Sequence, residues 1–142
     1  MVSRMPVSAK ITKVKYELRL PIKLPRLNVV LRWGWRKRAQ VVKAMRATVV
    51  AYAAEAGMMS VEPFREAKVT LAIAGPYKTD SDGIYVKDLI DAICARKDVA
   101  YGYNLRRWGL IEDDGPVFIG QPRIVMHRYA PDWLVTVTVE GR

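Results

Sequence analysis

Cysteine and histidine are almost missing from this chain: its 142 residues include one of each, Cys94 and His127. That excludes a disulfide framework and any zinc site built on Cys/His spacing, and it agrees with a reducing, cytoplasmic setting. No apolar run approaches the roughly 18 residues of a membrane span, and Met1 to Pro6 leads into no long apolar segment of the kind a leader carries. The phosphate-binding pattern G-x-x-x-x-G-K-S/T and the nucleophile elbow G-x-S-x-G are both absent, which removes two large enzyme classes. There is no internal repeat and no low-complexity segment. Acid is scarce at one end: residues 1 to 40 hold eleven Lys or Arg against a single acid, Glu17.

What is present describes a globular protein. Hydrophobic residues make up 51% of the chain and charged residues 27%, enough to bury a core in one domain spanning residues 1–142. The net charge is +10, yet beyond residue 40 the chain carries 13 bases and 13 acids. The imbalance therefore sits wholly in the first 40 residues, as a polyanion-binding flank beside a neutral domain would require. The plainer reading of the same charge is a solvated basic face.

The hydropathy pattern predicts an α+β fold. Residues 1–12 read as a flexible basic N-terminal extension. From Ile11 to Ile22 apolar Val14, Tyr16, Leu18 and Leu20 alternate with Lys13, Lys15, Glu17 and Arg19, the mark of a half-buried strand. Pro25 to Asn28 reads as a turn. Residues 36 to 56 read as a helix, with Val42, Met45, Val49, Tyr52, Ala53 and Ala56 near helical period and Gly57 as its stop. A second strand covers 67 to 74, and a second helix runs from about Gly83 to Arg96 with Val86, Leu89, Ile90 and Ile93 facing the core and Asp82 as N-cap. Lys97 to Trp108 reads as an irregular loop. Val117 to Ile119, Pro122 to Tyr129 and Trp133 to Val139 read as extended. The expected order is β-α-β-α-β-β: a mixed sheet of about four to five strands with two main helices packed on it.

Chemistry concentrates in two acidic runs. Asp80-Ser81-Asp82-Gly83 leads into Lys87-Asp88 and Asp91, and Glu112-Asp113-Asp114 follows later. Two carboxylates at i and i+2 of an extended segment point to one side and repel unless a proton or cation lies between them. Hard oxygen ligands of this kind suit Mg²⁺ or Mn²⁺. Asp114, or its neighbour Asp113, would complete the set, and Lys87 would neutralise a phosphate. Each piece also has an ordinary reading: a cap at Asp82, turn residues at Asp113 and Asp114, and a surface pair of about 0.3 kcal/mol between Lys87 and Asp91. An EF-hand is excluded, because Ile84 and Tyr85 occupy positions that need a ligand and a glycine. His127 falls in a strand pattern, where a structural role or a phosphate contact fits better than catalysis. Arg32, Arg36, Lys37 and Arg38, interleaved with Trp33 and Trp35, together with Lys78, Arg106 and Arg107, form the candidate nucleic-acid contacts, although such tryptophans more often anchor a helix to the core.

Asp80-x-Asp82, then Lys87-x-x-x-Asp91-Ala92-Ile93, then Gly109-Leu110-Ile111-Glu112-Asp113-Asp114, resembles the signature of RusA-type Holliday junction resolvases, a family commonly encoded by phages and prophages. In that family an Arg-Asp-x-Asp-Asn segment opens a helix of the form Lys-x-x-x-Asp-Ala-Leu, and a later Asp-Asp precedes a strand. The resemblance runs from about Tyr16 to Glu140. It implies that Asp80, Asp82 and Asp114 bind metal, that Lys87 is catalytic and that Asp91 is supporting. It further implies a RusA-like nuclease domain, a homodimer and Mg²⁺-dependent paired nicking of four-way DNA junctions in recombination and repair, in a bacterial cell or phage-infected host. Three features depart from the pattern. Gly83 stands where the family usually has Asn, one extra residue separates Asp82 from Lys87, and about a dozen extra residues precede Glu112. The rival reading is a non-catalytic, basic nucleic-acid-binding protein, a degenerate nuclease relative whose binding is strongly salt-dependent but which does not nick.

Overall fold

The computed structural model describes residues 9–11, 15–76, 83–95, 97–98, 105–106, 108–112, 119–126 and 130–141. Its element order is β1 (Ala9–Ile11), β2 (Lys15–Leu20), α1 (Leu27–Val30), α2 (Trp35–Glu55), β3 (Ala67–Ala74), α3 (Lys87–Ala92), β4 (Lys97–Asp98), β5 (Leu105–Arg106), β6 (Arg123–Met126) and β7 (Leu134–Gly141). Five strands form one mixed sheet in the order β1-β2-β7-β3-β6, and β4 pairs with β5 as a separate two-stranded ribbon. The expected α+β class and mixed sheet are therefore present.

The alternation read in β2, β3 and β7 becomes three rows of side chains across the sheet. Tyr16 pairs with Val139 and Val139 with Val69; Leu18 with Val137 and Val137 with Leu71; Leu20 with Val135 and Val135 with Ile73. All nine are buried. A slip of one residue in β7 would turn its three valines to the opposite face, so the pattern fixes the register. The last strand, β7, is inserted between β2 and β3 and is antiparallel to both. Strands β3 and β6 are parallel, which demands a long crossover, and α3 lies within it. Helix α2 packs Val49 and Ala53 into the same core as Leu89, Ile90 and Ile93.

Several boundaries differ from expectation for local reasons. The first strand is split: Ala9–Ile11, counted in sequence with the N-terminal extension, folds back to pair with Tyr16 to Leu18. The second helix is six residues long and starts at Lys87, not Gly83. Ile84 is bridged to Arg26, and the Tyr85 N–H donates to the Pro25 carbonyl at 2.9 Å. That backbone is committed to strand-like pairing and cannot begin a helix, so the N-cap position belongs to Val86 and not Asp82. At its other end the helix stops at Ala92 because Cys94 bridges to Ile111. The stretch expected as an irregular loop contains the β4–β5 ribbon, and Ile119 is buried in helical conformation rather than extended.

Leu110 to Glu112 is pinned on both sides. Phe64 N–H donates to the Leu110 carbonyl and Glu112 N–H to the Phe64 carbonyl, both at 2.9 Å. Leu110 N–H donates to the Ile93 carbonyl at 2.7 Å, and Ala95 N–H to the Ile111 carbonyl at 2.8 Å. The approach is close enough that a Cβ on Gly109 would lie 2.3 Å from the Ala95 nitrogen, a clash with backbone that no rotamer relieves. Gly109→Ala is expected to destabilise the protein by about 2 kcal/mol, read as a lower urea midpoint at unchanged m-value.

Candidate functional site

The first turn of α2 is assembled against the helix macrodipole. Its N-cap is Gly34 with no side-chain cap bond, its first turn holds no acid, and Arg36, Lys37 and Arg38 bring positive charge to the end that favours anions. The three side chains have different fates. Arg36 stacks over the Trp35 ring at 5.3 Å from its centroid, and the Lys37 ammonium lies 5.1 Å from that of Trp33. Both bases, like Arg32, are exposed to solvent.

Arg38 turns inward. Its Nη2 donates to Asp88 Oδ1 at 3.0 Å and to the Tyr85 hydroxyl, and the guanidinium lies 4.4 Å from the Tyr85 ring centroid. The hydrogen bond to Tyr85 pushes Arg38 further above its usual range; burial opposes this, and the charge of Asp88 adds to it. Arg38 is a permanent cation. Asp88 is only 5% exposed, so loss of that partner would leave its carboxylate buried without a counter-ion. Its second oxygen, Oδ2, has no partner among the described residues. About two turns farther along α2, Arg46 Nη2 donates to the Asp91 carbonyl at 3.2 Å. Two arginines of α2 thus hold the short α3.

The consequence is positional. Lys87, the first residue of α3, is exposed, and Asp91 one turn on is half-buried. The segment Gly83–Val86 that delivers Lys87 is tied to Pro25 and Arg26 by pairing and to α2 by Arg38. The expected site therefore has a fixed frame. One acidic run enters at Gly83, directly after Asp82, and the other leaves at Glu112, two residues before Asp114. They adjoin opposite ends of α3, a helix roughly 9 Å long.

Asp80, Asp82, Asp113, Asp114, Lys78, Arg107 and His127 lie outside the described residues, as does the side chain of Arg106. Among the described residues no three His, Cys, Asp or Glu side chains are grouped to hold a metal. The sequence reading missed Asp88, Tyr85 and the inward turn of Arg38. A signal was present: Asp88 shares a helix face with the small Ala92 at i+4, which permits α2 to approach closely enough for an arginine to reach it.

No protein-family model matches the chain, and no curated protein matches it. The family likeness therefore rests on the residues themselves.

Arg38→Ala is expected to cost about 3 kcal/mol of stability by stranding the Asp88 charge. The double variant Arg38→Ala/Asp88→Ala should be less destabilised than the two single losses summed, with a coupling of about 1 kcal/mol or more in a denaturation double-mutant cycle.

Proposed function

We propose that this protein is a Mg²⁺-dependent, structure-selective DNA endonuclease of the RusA kind, acting in the cytoplasm as a homodimer that nicks opposed strands of a four-way junction. The observation that carries the reading is the juxtaposition around α3. The basic first turn of α2 is tied through Arg38 to Tyr85 and Asp88, so exposed Arg36 and Lys37 share a frame with exposed Lys87 and with the exit of Asp80-Ser81-Asp82. On this reading a polyanion held by the bases meets the segment that continues from Asp82 into Gly83 and Lys87.

The donor set fits the ion by its chemistry. Asp80, Asp82 and Asp114 are hard carboxylates, which suit Mg²⁺ or Mn²⁺ and leave coordination positions for water and phosphate oxygens. The bound ion supplies an activated water and offsets charge building on phosphorus. The protein's own side chains do the remainder. Lys87 places a positive charge on the scissile phosphate, Asp91 supports the helix that presents it, and Arg32, Arg36 and Lys37, with Lys78, Arg106 and Arg107, bind flanking phosphates without reading sequence. Arg38, grouped with these bases in sequence, is occupied with Asp88 and acts as a positioning residue. Homodimerisation follows from the need for two symmetry-related cuts.

Cleavage of labelled junction by site variants tests the reading. Asp82→Asn is expected to abolish nicking while junction affinity, measured in chelator, stays within about twofold, and Lys87→Met to lower the single-turnover rate by about 10²–10³. Normal cutting by Asp82→Asn would show that the site is elsewhere. Junction binding without nicking by the unaltered protein would favour the non-catalytic reading.

A further inference from the structure

Where α1 meets α2, a cavity of about 400 Å³ opens against Val29, Trp33, Val41 and Met45, with the stretch from Lys23 to Arg26 completing its lining; the Lys23 ammonium lies 5.4 Å from the Trp133 ring centroid. That volume lies within the range of about 300–1,000 Å³ typical of small-molecule sites. The Lys37 ammonium over Trp33 adds a third cation beside it. The lining contains two bases and no acid, which favours an anionic occupant. The apolar and aromatic walls select one with a flat, weakly polar body. A nucleotide has both properties: a base to lie against an indole and a phosphate to meet lysine and arginine.

We infer that this cavity receives an unpaired base of the bound DNA strand, with the adjoining phosphates held by Arg26 and Lys37. The inference rests on the reading that DNA is the substrate, and it assigns that substrate a contact the acidic runs do not provide. Its placement is favourable, because the cavity wall is joined to the candidate catalytic segment. Arg26 is bridged to Ile84, and the Pro25 carbonyl accepts the Tyr85 N–H, so the wall is paired with residues that follow Asp82 by two and three positions. A strand that leaves a base in the cavity passes close to Ile84 and Tyr85, which lead into Lys87. Bases that are already unstacked, as at a branch point, enter at the least cost. The pocket therefore supplies selectivity for branched over continuous duplex without reading sequence.

The test uses fluorescence anisotropy of labelled oligothymidylate and of an abasic oligomer of equal length and charge, in chelator and at fixed salt. The intact protein is expected to bind the base-bearing strand about tenfold more tightly than the abasic one. Trp33→Ala should bring the two affinities to within about twofold. Val29 is 42% exposed, so Val29→Met fills the mouth without threatening the core, and it should cut the preference by about threefold or more. Met59→Ala, beyond the other end of α2, should leave it intact. Equal binding of the two strands by the intact protein overturns the inference, as does an undiminished preference in a folded Val29→Met protein. Because no cleavage is measured, the result is independent of the nuclease reading. Base-dependent binding with no junction cutting would sink only the nuclease, and cutting without base preference would sink only the pocket.

Discussion

A carboxylate taken out of water has to be paired, and the buried carboxylate of Asp88 is the constraint around which α2 and α3 are arranged. Arg38 answers it, at 3.0 Å, from the first turn of a 21-residue helix. Tyr85 takes part as well, accepting a bond from the same guanidinium nitrogen and lying beneath its plane. Because breaking such a pair leaves an uncompensated charge in a low-dielectric interior, the contact is much harder to lose than a surface ion pair. Its effect reaches beyond stability. It ties the basic end of α2 to the segment that carries Lys87.

The sheet supplies the complementary rigidity. Nine buried side chains in three rows fix β2, β7 and β3 in register, and α3 is packed on that core through Leu89, Ile90 and Ile93. Backbone hydrogen bonds from Phe64 and Ile93 then clamp Leu110 to Glu112, with Gly109 allowing the approach. The described residues that flank the two acidic runs, Ile84 and Tyr85 on one side and Leu110 to Glu112 on the other, are consequently held by backbone pairing. The electrostatic division is equally clear: the excess positive charge lies in the first 40 residues, while the carboxylates proposed as ligands lie in the balanced remainder.

The fold was largely legible in the sequence because period-two alternation survives wherever a strand has one buried face. Ala67–Ala74 is delimited as the pattern predicts, and Val135, Val137 and Val139 point inward as expected. Helix α2 was legible from its length and from Gly57, which adopts φ 74° after the helix ends. The limits of α3 were not, because pairing of Ile84 and Tyr85 with residues 25 and 26, and of Cys94 with Ile111, overrides a helical pattern from outside it. Of the candidate site, the basic turn and Lys87 could be named from residue type. The inward course of Arg38 could not, since nothing in a run of three bases says which one meets a buried acid. The indole of Trp33, which could equally have been a core anchor, instead lines a cavity beside three cations.

The central claim is that a basic surface presents DNA to a carboxylate metal site, and substrate geometry tests it most directly. End-labelled four-way junction and a duplex of matched sequence, each incubated with the intact protein in Mg²⁺ and in chelator, should give paired nicks in the junction with Mg²⁺ alone and leave the duplex uncut. Cutting that persists in chelator, equal cutting of duplex, or an uncut junction in Mg²⁺ would contradict the account.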